Sequence, residues 1–215
     1  MADLHLFIGN KNYSSWSLRP WIALSVKAIP FEEHLVPFDF GNGNRAFANF
    51  SPTGKVPVLH DGDLVVWESL AILEYLADRF PEAGLWPENG KDRAIARAIS
   101  AEMHSGFQAL RSACPMNMRR TPAPLDIDGA VRADVARIEA IWTEALATSG
   151  GPFLFGSFSN ADAMFAPVVN RFKVYELASR DSTLGYMDRV QALPAWRSWE
   201  DAGRAEPWIV PEDEV

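Results

Sequence analysis

Lys55-Val56-Pro57-Val58-Leu59-His60-Asp61-Gly62-Asp63-Leu64-Val65-Val66-Trp67-Glu68-Ser69 decides the fold. Two apolar runs, Val56 to His60 and Leu64 to Trp67, flank Asp61-Gly62-Asp63. An Asp-Gly turn between such runs predicts a β-hairpin. Ser69 to Phe80 follows as an amphipathic helix with Ile72, Leu73, Leu76 and Phe80 on one side. Upstream, Leu4 to Ile8 reads as a strand ending at Gly9, and Leu18, Ile22 and Val26 give a helical period over Leu18 to Lys27. Glu33 to Phe38 reads as a second strand and Arg45 to Phe50 as a short helix. The order β-α-β-α-β-β-α predicts a mixed four-stranded sheet with covering helices, an α/β domain over residues 1–80.

Downstream the pattern changes. Residues 81–90 (Pro-Glu-Ala-Gly-Leu-Trp-Pro-Glu-Asn-Gly) are rich in chain breakers and predict a linker. Residues 91–215 show helical periods only, which predicts an all-α bundle domain. Ile95, Ile99, Met103, Phe107 and Leu110 mark one helix; Val131, Val135, Ile138, Trp142 and Ala145 mark the next, beyond Pro122-Ala123-Pro124. A third starts after Ser159-Asn160-Ala161-Asp162, where serine caps and aspartate complements the helix dipole. A last helix begins near Pro194.

The charge excludes some functions. A net charge of -8 argues against nucleic acid and anionic membrane surfaces, both of which demand clustered Lys and Arg. The single cysteine, Cys114, allows neither an internal disulfide nor a CxxC pair. No apolar stretch reaches the ~18 residues of a membrane span. Met1 to His5 shows no basic region leading into an apolar run, so a reducing cytoplasm is expected. His5, His34, His60 and His104 show no ligand spacing along the chain, and no metal is expected.

Three segments could carry chemistry. Ser14, Ser15 and Ser17 stand where the first strand gives way to a helix, whose N-terminus favours an anion; taken alone, the commonest use of serines there is simply to cap the helix. A cis bond between Val56 and Pro57 would offer the Val56 amide to an extended peptide; a trans proline would simply open an edge strand. Glu68 and Ser69 could pair with the amino and carboxylate groups of one α-amino-acid head, or act as a solvated residue and a cap.

Together and in this order, these segments resemble the cytosolic glutathione S-transferases over nearly the whole chain. Ser14-Ser15-Trp16-Ser17-Leu18-Arg19-Pro20-Trp21-Ile22-Ala23-Leu24 looks like the zeta-class signature, with Trp16 in place of its cysteine and Trp21 in place of its second arginine. Lys55-Val56-Pro57-Val58-Leu59 matches the Val-Pro motif, whose proline is cis, and Glu68-Ser69-Leu70-Ala71-Ile72 matches Glu-Ser-x-Ala-Ile. Leu85-Trp86-Pro87 matches the interdomain linker and Ser159-Asn160-Ala161-Asp162 the capping box.

The resemblance implies a thioredoxin-like first domain and glutathione as co-substrate, without a metal. It implies catalytic Ser14, with Ser15 as second choice, since in related classes the catalytic residue stands five positions before the arginine matched by Arg19. Trp16, Lys55, Val56, Pro57, Glu68 and Ser69 would bind glutathione. Met103, His104, Phe107 and Met118 would line the pocket for an electrophile, with Arg111, Arg119 and Arg120 available for an acidic one. The activity implied is thiolate attack on a small hydrophobic electrophile. A cis–trans isomerase of a maleyl-type compound and a non-catalytic glutathione-binding protein are the alternatives. A homodimer is also implied. Cys114 is not expected to be the nucleophile.

Overall fold

The computed structural model describes residues 4–215. Strand β1 (Leu4–Ile8) leads into helix α1 (Ser15–Val26), then β2 (Glu32–Leu35), β3 (Val58–Asp61), β4 (Leu64–Trp67) and α2 (Ser69–Arg79). The sheet order is β2-β1-β3-β4. β2 runs parallel to β1, while β3 is antiparallel to both β1 and β4. Asp61 faces Leu64, so Gly62 and Asp63 alone make the hairpin turn, and Gly62 takes the positive φ (57°) that such a turn requires. Leu4, Leu6 and Ile8 alternate into the core with Ile22, Ile72 and Leu76, while His5 and Phe7 point to the opposite face.

Six helices follow: α3 (Gly90–Ser105), α4 (Gln108–Ala113), α5 (Gly129–Ser149), α6 (Asn160–Val174), α7 (Asp181–Gln191) and α8 (Pro194–Ala205). Helix α6 is buried along almost its whole length and packs on both α1 and α3, which joins the sheet layer to the bundle. Gly203 of α8 lies against the Lys11–Asn12 backbone, where a Cβ would come within 3.1 Å, so any larger residue would have to push that backbone away by a few tenths of an ångström.

Several boundaries differ from the sequence reading. α1 starts at Ser15 rather than Leu18, because its polar first turn carries no apolar period. β2 ends at Leu35, and β3 begins at Val58 rather than Val56. Residues 45–49 form a 3-10 turn. The apolar period through Leu110 runs across a break: a Cβ on Gly106 would sit 2.8 Å from the Glu102 carbonyl oxygen, and Phe107 is left-handed (φ 58°). The chain therefore turns between α3 and α4, and Cys114 lies at the end of α4. Helix α7 was not foreseen. No helix among the described residues is long and apolar enough to cross a membrane.

Candidate functional site

A cleft of about 360 Å³ opens where the sheet meets α3 and α4, lined among others by Trp16, Lys55, Val56, Pro57, Glu68, Ser69 and His104. All six residues expected to bind glutathione thus meet in one cleft. The Val56–Pro57 bond is cis, and the Val56 backbone amide and carbonyl have no hydrogen-bond partner among the described residues. Ser69 is the first residue of α2 and is 1% exposed, yet its Oγ has no partner among the described residues. Buried hydroxyls are normally bonded, and a helix N-terminus favours a negative charge. Ser69 is therefore a vacant donor set in a positive field. Glu68 precedes it at φ 72° and ψ 125°, a region costly for any residue but glycine and seen mainly at functional sites. Its carboxylate is more than half exposed and lies 3.7 Å from His104 Nε2.

The start of α1 is arranged differently. Ser14 is buried, with φ −76° and ψ 82°, and caps nothing with its side chain. Its hydroxyl donates to Ser17 Oγ at 2.8 Å, and Ser17 Oγ accepts from the Gly9 amide at 3.2 Å. Neither Ser14 nor Ser17 lines the cleft; Ser15 faces a second pocket.

That second pocket, of about 260 Å³, shares Trp16, Gln108 and Arg111 with the cleft and adds Ser15, Arg171 and Asp213. Trp16 is the wall between the two, held between the guanidinium groups of Arg19 (4.0 Å from its ring centre) and Arg111 (4.6 Å), with His104 against its edge. Burial, followed by repulsion from Arg171 and Arg111, lowers the pKa of Arg19 well below its usual range. Arg171 is lowered to about 10 by burial and by Arg111, and remains a cation at neutral pH. The Nη1 atoms of Arg19 and Arg171 have no hydrogen-bond partner among the described residues. Two guanidinium groups, Arg111 and Arg171, thus share this pocket with one carboxylate, Asp213, which leaves it net cationic.

Three residues expected in an electrophile pocket do not line either space. Met103 and Met118 are fully buried, and Phe107 is nearly so; all three belong to the core. Helical periodicity identifies a buried face without telling a pocket wall from a packed interior. His104 does line the cleft, one residue round the helix from Met103. Of the arginines, Arg111 lines both spaces, whereas Arg119 and Arg120 hold the C-terminal segment, Arg119 through the Glu206 and Trp208 carbonyls and Arg120 through the Val215 carbonyl. Arg171 was missed; its one sequence signal is a guanidinium inside the apolar run of α6. Cys114 is fully buried, and burial raises its thiol pKa despite Arg171 and Arg120, so it is protonated at neutral pH.

Residues 13–79 match the glutathione S-transferase N-terminal domain family, and residues 93–202 match the glutathione S-transferase C-terminal domain family. Maleylacetoacetate isomerase of Rattus norvegicus is 32% identical over 169 residues, 75% of this chain and 76% of that protein. Probable maleylacetoacetate isomerase of Vibrio cholerae is 38% identical over 98 residues, covering 42% of this chain and 46% of that one. In that and two similar matches the chain spans about half the length of the curated relatives. Among solved structures, a glutathione transferase homolog from Burkholderia with bound glutathione superposes with a TM-score of 0.72 at 22% identity, over 95% of this chain and 99% of that one, a likeness of fold. A glutathione transferase from Methylococcus capsulatus gives 0.65 at 26% identity, over 93% and 98%. With both domain families matched in order, and with the isomerase of Rattus norvegicus aligned across three quarters of each chain, this chain belongs to the glutathione S-transferase family.

Proposed function

We propose that the chain is a glutathione-dependent enzyme that presents the tripeptide's sulfur as a thiolate to an electrophile. The observation that carries this reading is the vacant donor of Ser69 at the α2 N-terminus, in one cleft with the unpaired Val56 backbone. An extended peptide would pair with Val56 as an added strand. Its terminal α-carboxylate would take the Ser69 hydroxyl and the helix dipole, and its α-amino group would take Glu68. Residues 1–80 would hold glutathione, and residues 91–215 would supply most of the second pocket. Trp16 and Lys55 complete the cleft walls.

The magnitudes suffice without a metal or a histidine base. A free thiol has a pKa of ~8.5, and lowering it by about two units requires ~2.7 kcal/mol. One hydroxyl donor to a charged acceptor supplies ~1.5–3 kcal/mol and a helix N-terminus ~0.3–1 kcal/mol. Ser14 is the donor in this reading because of its place just ahead of α1; it lines neither pocket, so its hydroxyl would have to leave Ser17 Oγ and the sulfur would have to reach past the cleft wall to it. Ser15 is the competing donor because it faces the second pocket. Titration of bound glutathione by thiolate absorbance separates them. Ser14→Ala should raise the bound thiol pKa by about one to two units. No change there, with a rise in Ser15→Ala, would transfer the role to Ser15.

The cationic second pocket favours a particular form of this activity. Arg111 and Arg171 share the pocket with a single carboxylate, Asp213, which suits an acidic electrophile better than a purely hydrophobic one. Reversible addition of the thiolate to a conjugated double bond, rotation and elimination would make the enzyme an isomerase of a maleyl-type compound. Assays of neutral electrophiles and of maleyl compounds, each with and without glutathione, decide between conjugation and isomerisation. Absence of turnover in both, with glutathione still bound, would leave the binding-protein alternative.

A homodimer in the cytosol completes the reading and rests on family membership. Sedimentation at micromolar concentration should give about twice the 23.9 kDa of one chain.

A further inference from the structure

The parallel pairing of β1 with β2 assembles a cluster that linear spacing conceals. His5 stands opposite Glu32, and His34 lies two residues further along β2. Alternate residues of a strand share a face, so all three point away from the core side occupied by Leu4, Leu6 and Ile8. Glu33 turns the other way, to Lys11 and Trp21. His5 Nδ1 is 3.0 Å from His34 Nε2. The Glu32 carboxylate oxygens reach His5 Nδ1 at 3.5 Å and His34 Nε2 at 3.4 Å.

These three separations have the size of a coordination triangle. A tetrahedral ion with nitrogen and oxygen ligands at ~2.0–2.1 Å keeps those ligand atoms about 3.3 Å apart. Two imidazoles and one carboxylate suit zinc and neighbouring divalent ions, whereas calcium and magnesium take oxygen ligands. The side chains are 40% (His5), 65% (Glu32) and 31% (His34) exposed, which leaves a route for the ion and room for water in a fourth position. The His34 ring stacks on Phe7 at 4.6 Å, and Phe7 on Phe50 at 4.5 Å, so its orientation is fixed before any ion arrives. His60 is the cross-strand neighbour of His5, but its Nε2 is engaged with the Phe50 carbonyl.

We propose that His5, Glu32 and His34 form a binding site for a divalent transition ion of the zinc type, on the sheet face opposite α1 and α2 and separate from the glutathione cleft. Bound there, the ion ties the edge strand β2 to the central strand β1. The site is independent of the chemistry proposed for the cleft.

The test is calorimetric titration of the tag-free protein with zinc sulfate in the absence of glutathione. One ion per chain should bind saturably at micromolar or lower dissociation constant, and Tm should rise with zinc. His34→Gln and Glu32→Gln should each weaken binding at least about tenfold, with unchanged circular dichroism. His104→Gln, which removes the other histidine–carboxylate contact, should leave zinc affinity intact. If His34→Gln fails to fold, His5→Gln replaces it. No saturable binding by the unmodified chain, or affinity unchanged in either ligand variant, overturns the proposal.

Discussion

Helices α2 and α6 begin with the same kinds of residue and use them in opposite ways. At α6, Ser159 and Asp162 close on each other: Asp162 accepts from the Ser159 amide and hydroxyl, from the Leu154 amide and from the Tyr186 hydroxyl. The Asp162 carboxylate thus gathers four donors of its own chain. At α2, Glu68 is turned outward by its positive φ and the Ser69 hydroxyl has no partner among the described residues. A serine and an acid at a helix start are therefore a structural lock or a ligand socket, depending on whether the surrounding packing brings them together. The start of α1 lies between these cases, with the Ser14 hydroxyl parked on Ser17.

The largest effect expected from this contrast is at the lock. Asp162→Ala strands four buried donors and should cost roughly 3–5 kcal/mol in urea unfolding. Glutathione affinity of the fraction that still folds should be unchanged, and a matching loss of affinity would erase the distinction between the two starts. Ser69→Ala is the converse. It removes a hydroxyl that satisfies nothing internally, so stability should hold within about 0.5 kcal/mol, while the dissociation constant for glutathione rises roughly 10- to 100-fold. A Ser69→Ala protein that lost stability and kept its affinity would reverse the roles.

A subtler effect concerns pH. Burial outweighs the four hydrogen bonds and raises the Asp162 carboxyl from 3.8 to about 6. Between those values the folded protein holds a proton that the unfolded chain has released. Stability from this group is therefore complete below pH 3.8 and falls as pH rises to about 6. Asp162→Asn should flatten that part of the stability profile, and an unaltered slope would assign it to another group. The smallest effect belongs to Glu68. Glycine adopts φ 72° without strain but loses more unfolded-state entropy, so Glu68→Gly should change stability by under about 1 kcal/mol. A larger loss would mean that the Glu68 side chain itself holds the start of α2.

What the sequence determined by itself is whatever a few neighbouring residues dictate. Asp61-Gly62-Asp63 specifies the hairpin because the turn geometry is local. The alternation of Leu4, Leu6 and Ile8 specifies which face of β1 is buried, and the capping box of α6 is complete within Ser159 to Asp162. Tertiary structure decided everything that depends on which segments meet. The period of Met103 and Phe107 was legible as a buried face, but only the packing of the helices around it made it core instead of pocket. Arg171 stands far along the chain from Arg111 and Trp16, and it takes the packing of α6 on α1, with the Arg171 guanidinium donating to the Cys114 carbonyl at the end of α4, to set the three at one pocket. His5 and His34 are 29 residues apart, a separation with no meaning as a motif. They become neighbours because β1 and β2 pair in parallel, and register across a sheet is fixed by the whole buried face rather than by any stretch of sequence.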